Sequence, residues 1–127
     1  MTPAVQERPR GAPRPQLWRV TERESFQDLR RGGRRVRRGS LVVTFLAPDP
    51  SSPPTPPRVA FAIGTTVGGA VVRNRIRRRV RAALRGLLVV DRLPAGTYLI
   101  GATTETAQMP WSKLVAALST TIDEVTR

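Results

Sequence analysis

The sequence predicts an α+β fold, in which helices are packed on one small sheet. Three observations predict it. An apolar stripe with steps of three and four residues indicates a helix near the middle of the chain. Short runs rich in β-branched residues indicate strands before and after it. The predicted order of elements is helix, strand, strand, strand, helix, strand, helix, which makes a single-domain α-β-β-β-α-β-α sandwich.

The chain has 127 residues, the length of one domain. Residues 1–16 mix prolines with arginines and show no periodicity, so they are predicted to be a disordered basic arm. A single α+β domain is predicted over residues 17–127. The proline-rich residues 47–57 cannot enter a sheet and are predicted to form a long loop inside this domain.

The first predicted helix covers residues 21–31. Thr21 and Glu24 have the spacing of a capping box, and Gly32 with Gly33 ends the helix. A short arginine-rich strand is expected after the glycines. Two further strands are predicted from their β-branched and aromatic residues, at positions 41–46 and 58–63.

A short glycine-containing loop, residues 64–69, leads into the central helix. The apolar stripe of this helix consists of Val72, Ile76, Val80, Ala83, Leu84 and Leu87. Seven arginines occupy most of the remaining circumference: Arg73, Arg75, Arg77, Arg78, Arg79, Arg81 and Arg85. The helix is therefore predicted to pack by one edge and to present a cationic surface.

The C-terminal part is predicted to contain a turn, a strand and a helix. Residues 93–96 form the turn, and residues 97–102 form the strand. Pro110 opens the last helix. The stripe of this helix is assigned to the core, and it consists of Trp111, Leu114, Leu118, Ile122 and Val125.

The composition excludes several classes of function. The absence of cysteine and histidine excludes disulfides, thiolate nucleophiles, imidazole bases and the usual zinc sites. The nine acidic residues are scattered, and no catalytic residues are predicted. No stretch has the length and apolar character of a transmembrane helix or a signal peptide, so a cytoplasmic protein is expected. The net charge of +13 favours a nucleic-acid partner.

The arginines of the central helix lack acidic neighbours in sequence. No acid occurs between Asp49 and Asp91, so like charges meet at four-residue spacing along the helix. Each such pair costs a few tenths of a kcal/mol. A solvated helix face normally mixes both signs of charge. This pattern indicates an anionic partner that offsets the repulsion.

Residues 70–78, Ala-Val-Val-Arg-Asn-Arg-Ile-Arg-Arg, resemble the Arg-Asn-Arg signature of the bacterial ribonuclease P protein family. Residues 58–63 resemble the strand before that signature. Arg19-Val20, Ser25-Phe26-Gln27 and Gly33 resemble the N-terminal helix of the family. The resemblance covers roughly residues 17–126.

The resemblance implies an α+β fold in which the arginine helix joins two neighbouring parallel strands by a left-handed crossover, an exception to the usual hand. It also implies that the chain is a subunit of a ribonucleoprotein that removes the 5′ leader of precursor tRNA. The partners are then ribonuclease P RNA and precursor tRNA, with neither a membrane nor a protein oligomer. Hydrolysis is assigned to the RNA with Mg²⁺; the protein alone is expected to be inactive, and any metal position on it is unknown.

Two sets of site residues follow from the resemblance. The predicted RNA-binding residues are Arg73, Asn74, Arg75, Arg77, Arg78 and Arg81. The predicted leader cleft contains Phe26, Arg30, Thr44 and Ala62. Arg30 replaces a second phenylalanine of the family, and Thr44 stands where an aromatic residue is common. Residues 64–66, Gly-Thr-Thr, replace the Ser-Lys-Lys of the family.

Other classes of function remain as alternatives. The main one is a non-enzymatic RNA-binding protein of the ribosomal type. A DNA-binding module is less favoured, because no helix stands three or four residues before the arginine helix, as a helix-turn-helix requires. A membrane-surface helix is also less favoured, because the stripe is poor in aromatic residues.

Overall fold

The computed structural model describes residues 17–19, 29 and 31–127. The elements with described bounds are β1 (Trp18–Arg19), β2 (Arg34–Arg38), β3 (Leu41–Leu46), β4 (Arg58–Ala62), a 3-10 turn (Thr65–Val67), α1 (Ala70–Val89), β5 (Thr97–Ala102), α2 (Glu105–Gln108) and α3 (Trp111–Val125). Leu29, Arg31 and Gly32 are helical. The rest of the predicted first helix lies outside the described residues, as do residues 1–16.

The strands form one sheet in the order β1-β4-β5-β3-β2. The β2, β3 and β5 strands are antiparallel neighbours, whereas β4 is parallel to both β1 and β5. The α1 helix connects the parallel neighbours β4 and β5. The predicted α+β fold is thus confirmed, and the hand of the crossover stays a prediction.

The core lies between one face of the sheet and the helices α1 and α3. The stripe of α1 is buried from Ile76 to Leu87, while Val72 at its start is half-buried. These side chains form one cluster with core-facing residues of the sheet, including Val43 and Ile100, and with the stripe of α3. Burial of these stripes is the main stabilising term for both helices.

The opposite face of the sheet forms a cleft. Leu29 is fully buried, and it lines a cleft together with Thr44 and Leu99. Because side chains alternate along a strand, Thr44 and Leu99 point away from α1 and α3. The sheet therefore has one face for the core and one face for this cleft.

Three features differ from the sequence prediction. The two-residue strand β1, in which Arg19 pairs with Val59, was not predicted. The single-turn helix α2 was not predicted. Trp111 was assigned to the core, but it is 48% exposed. It is the first residue of α3, and the fully buried part of the stripe begins one turn later at Leu114.

Replacing glycine by alanine should change the free energy of unfolding in opposite directions at two positions. Gly96 has φ +142°, and a Cβ there would lie 2.4 Å from Phe45 Cε1 and 2.8 Å from the Leu46 carbonyl oxygen. Gly86 is helical, and beyond its chain neighbours and the backbone of its own helix no atom lies within 4 Å of its ideal Cβ. We expect Gly96→Ala to lower the free energy of unfolding by about 1–3 kcal/mol. Gly86→Ala should raise it by roughly 0.5–1 kcal/mol. Urea unfolding at constant salt measures both, and equal effects of the two changes would contradict this packing.

Candidate nucleic-acid interface

The α1 helix exposes its arginines on the part of its circumference that the core leaves free. Its buried stripe fixes the rotation of the helix about its axis. Arg75, Arg78 and Arg85 are exposed, as is Asn74. The other arginines of the helix are half-buried: Arg73, Arg77, Arg79 and Arg81.

A groove of about 680 Å³ runs between α1 and the strand edge formed by β4 and β1. Its polar lining consists of Arg19, Asn74, Arg77, Arg78 and Arg81. Its remaining lining is Val59, Ala60, Phe61 and Val71. Cationic groups beside apolar surface match the chemistry of a nucleotide, whose phosphate takes the charge and whose base takes the apolar contact.

Arg81 packs against an aromatic ring of β4. Its guanidinium carbon lies 5.2 Å from the centre of the Phe61 ring, a cation–π distance. Burial lowers the pKa of Arg81, and the charges of Arg19, Arg85 and Arg77 lower it further. A guanidinium still keeps its proton at neutral pH. The groove therefore holds several like charges close together, and a bound phosphate would relieve their repulsion.

Two arginines of α1 have partners on the same segment of chain. Arg73 Nε donates a hydrogen bond to the Gly68 carbonyl oxygen at 3.2 Å. Arg77 Nη1 donates to Asn74 Oδ1 at 3.0 Å, so Asn74 orients a neighbouring cation. Among the described residues, the ion pairs are Arg38–Glu124 and Arg92–Asp123. Neither includes an arginine of α1, so no described carboxylate neutralises this helix.

Arg79 has a different role from its neighbours. Its guanidinium donates to the Thr106 carbonyl oxygen at 2.7 Å and also to the Met109 carbonyl oxygen. Both acceptors lie at or just after α2, where the last carbonyls of a helix lack partners within the helix. Arg79 therefore fastens α1 to the segment between β5 and α3. Arg79 is not one of the predicted RNA-binding residues.

The cleft on the opposite face of the sheet has a volume of about 460 Å³. Its lining consists of Leu29, Gly33, Arg35, Arg37, Ser40, Val42, Thr44, Ala62, Leu99, Gly101, Ala102 and Thr103. Thr44 and Ala62, two of the predicted cleft residues, are among them. Phe26 and Arg30, the other two, lie outside the described residues.

Gly33 sets the wall of this cleft. Its N–H donates to the Leu29 carbonyl oxygen at 3.0 Å. A Cβ on Gly33 would lie 2.4 Å from that oxygen and 2.6 Å from Thr44 Cγ2. Only glycine lets the end of the N-terminal helical segment approach the sheet this closely.

The predicted RNA-binding residues lie on a different surface from Thr44 and Ala62, the two predicted cleft residues that the structure describes. Asn74, Arg77, Arg78 and Arg81 line the groove, and Arg75 lies elsewhere on the free surface of α1. Three further cations were not predicted for either surface: Arg19 in the groove, and Arg35 and Arg37 in the cleft. Because side chains alternate along a strand, the sequence could have predicted that residues 35 and 37 lie on the opposite face of the sheet from residues 34 and 38.

No group of three or more acidic side chains is placed to hold a metal ion within the part of the chain that the structure describes. Over the same residues, no helix is long and apolar enough to cross a membrane.

Comparison with known proteins gives consistent matches. The model of the family described as Ribonuclease P matches residues 15–126. The ribonuclease P protein component of Thermobifida fusca is 39% identical over 114 residues, covering 86% of this chain and 76% of that protein. That of Symbiobacterium thermophilum is 38% identical over 98 residues, covering 76% of this chain and 81% of that protein.

Solved structures show the same fold. An RNase P protein mutant from Staphylococcus aureus superimposes with a TM-score of 0.73 at 18% identity, covering 86% of this chain and 88% of that one. The RNase P protein from Thermotoga maritima has a TM-score of 0.70 at 17% identity, covering 84% of this chain and 96% of that one.

Substitution of Arg79 should affect mainly stability, whereas substitution of Arg75 should affect mainly RNA binding. Arg79→Met leaves two carbonyl groups without their donor, so we expect the free energy of unfolding to fall by roughly 1–3 kcal/mol. Arg75→Met removes an exposed charge from a repulsive set and should leave stability unchanged or slightly higher. Its affinity for a large structured RNA should fall. Urea unfolding and an RNA-binding titration on both variants test this, and a stability loss confined to Arg75→Met would contradict it.

Proposed function

The chain belongs to the ribonuclease P protein family, and from this premise we propose that α1 holds the large RNA of the complex while the cleft holds the leader of precursor tRNA. As a member of this family, the chain is the protein component of a tRNA-processing ribonucleoprotein endoribonuclease. The observation that supports this division of roles is that the two sides of the sheet carry two separate surfaces. Its core-facing side carries the arginine helix and its groove, and its other side carries a separate cleft.

Charge supports α1 as the RNA-binding element. The predicted residues Arg75, Arg78 and Arg81 lie on its free surface or in its groove. No described carboxylate pairs with the arginines of this helix. Phosphates can supply the missing negative charge through short, charge-assisted hydrogen bonds. The planar guanidinium can form two such bonds with one phosphate.

The protein assists the reaction by binding and positioning RNA. The described residues offer no donor set for a divalent metal, so they do not fit a protein-bound Mg²⁺. In this proposal Mg²⁺ acts with the RNA subunit, and the complex works in the cytoplasm. Neutralising phosphates lowers the repulsion between two large polyanions, so the protein should matter most when Mg²⁺ is scarce.

Reconstitution tests the proposed function. The protein is mixed with in vitro transcribed ribonuclease P RNA and a 5′-labelled precursor tRNA at low Mg²⁺. We expect removal of the leader to require both RNA and protein. Protein without RNA should cleave nothing. Cleavage that the protein does not accelerate, with the RNA shown to be folded, would contradict the proposal.

Salt dependence measures how many arginines meet phosphates. Six arginines of α1 remain when Arg79 is set aside. If all six neutralise phosphates, log affinity for ribonuclease P RNA should fall against log salt with a slope of roughly −4 to −5, at about 0.7–0.9 ions per contact. Arg78→Gln should reduce the magnitude of this slope by about one contact, and Arg79→Gln should leave it unchanged among folded molecules. A wild-type slope near −1 would mean that α1 is not the interface.

A further inference from the structure

We propose that Arg35 and Arg37 hold the unpaired leader by its phosphates, so that the β2 side of the cleft recognises leader RNA through charge and not through the identity of its bases. This inference rests on the leader-binding role proposed for the cleft. It assigns that role to two residues of β2 and specifies the chemistry of recognition.

Alternation along β2 divides its four arginines between the two faces of the sheet. Arg34 Nη1 donates to the carbonyl oxygen of Arg127, and Arg38 Nε donates to Glu124 of α3 at 2.9 Å. Both therefore point to the helix-covered face. Arg35 and Arg37 pair in register with Thr44 and Val42 of β3, respectively. They point to the other face and line the cleft.

Arg35 and Arg37 are exposed, and neither has a hydrogen bond or ion pair among the described residues. Arg34 and Arg38 have such partners. Two unpaired cations separated by one residue on a single strand form a local positive potential at the β2 side of the cleft. That position suits the backbone of a polyanion that crosses the sheet.

The described lining of the cleft contains no aromatic ring on which a base could stack. The floor between Arg35 on β2 and Ala62 on β4 is built from Val42, Thr44, Leu99 and Gly101. The rings of Phe45, Phe61 and Tyr98 lie with the core cluster on the opposite face. Stacking on aromatic side chains is the usual source of base affinity for single strands. The described side of this cleft offers charge in its place.

The cleft is long enough for a strand of RNA. It crosses β2, β3, β5 and β4, which at a spacing of about 4.8 Å spans three intervals, or roughly 14 Å. A Cβ on Gly101 would make only ordinary contacts, at 3.6 Å from Val42 and 3.7 Å from the Ala62 carbonyl oxygen. Because Gly101 carries no side chain, the described floor leaves room at β5 for an extended backbone.

The test uses the reconstituted ribonucleoprotein and measures how the preference for leader-bearing over mature tRNA varies with salt. The precursor carries a phosphodiester at the cleavage site that resists hydrolysis, so the titration measures binding alone. The variant is Arg35→Gln with Arg37→Gln. The matched control is Arg34→Gln with Arg38→Gln, which makes the same charge change on the same strand but on the other face. A thermal melt confirms that each protein is folded.

We expect the wild type and the control to share one salt slope for this preference. In the cleft variant the magnitude of this slope should be smaller by roughly 1.4, because two phosphate contacts are lost and single strands release about 0.7 ions per contact. All-uridine and all-adenosine leaders of equal length should bind the wild type within about threefold, since neither is read by its base edges.

The remaining outcomes overturn one proposal or the other. A cleft variant that keeps the wild-type slope would overturn the inference and leave the leader role of the cleft intact. Equal losses in both variants, or strong dependence on leader sequence, would also overturn it. A wild-type complex that binds precursor and mature tRNA equally would contradict the leader role itself.

Discussion

The burial of one apolar stripe of α1 against the sheet determines the arrangement of the other functional features. Because Ile76, Val80 and Leu84 are fully buried, the exposed arginines Arg75, Arg78 and Arg85 lie on the side of the helix that faces away from the core. The helix accepts repulsion between like charges at four-residue spacing, a cost of a few tenths of a kcal/mol per pair. Packing energy of the stripe, at about 1.5–3 kcal/mol for each large side chain buried, exceeds that cost. The fold can therefore hold a dense cationic surface before any RNA binds.

The shape of the cleft on the second face of the sheet depends on two glycines, which have no side chain. Gly33 lets the N-terminal helical segment contact Thr44, and Gly101 keeps the floor low beside Ala62. The two surfaces share strand β4, whose residues contribute to the groove through Phe61 and to the cleft through Ala62. One short strand thereby fixes the position of the α1 groove relative to the cleft. An RNA held on one side and a single strand held on the other would be kept in a defined mutual position.

The local elements could be predicted from the sequence, and the tertiary partners could not. The period of the α1 stripe is a property of consecutive residues, so Ile76 and Leu84 were identified as core. The role of Arg79 depends on the Thr106 and Met109 carbonyls, which lie about thirty positions away along the chain. Periodicity placed Trp111 on the stripe of α3, but it could not show that the helix begins to contact the sheet only one turn later.

The two surfaces were predictable to different degrees. A short contiguous signature predicted Arg75 and Arg78 as RNA-binding residues. Thr44 and Ala62 are distant in sequence, and only the resemblance to a family predicted that they share a cleft. Arg35 and Arg37 were missed because their direction depends on the register of β2 with β3. The two-residue strand β1 is too short to show alternation, so Arg19 was not placed beside α1.

Directed crosslinking gives the most direct test of the central claim, that two faces of one sheet hold two different RNAs. The chain contains no cysteine, so a single introduced cysteine carries a photoreactive group to one position. Ala62→Cys places it in the cleft, and Ala82→Cys places it on the exposed side of α1 near Arg78. In the complex with precursor tRNA, position 62 should crosslink to the leader and position 82 to ribonuclease P RNA. Leader crosslinks from position 82, or none from position 62, would contradict the account.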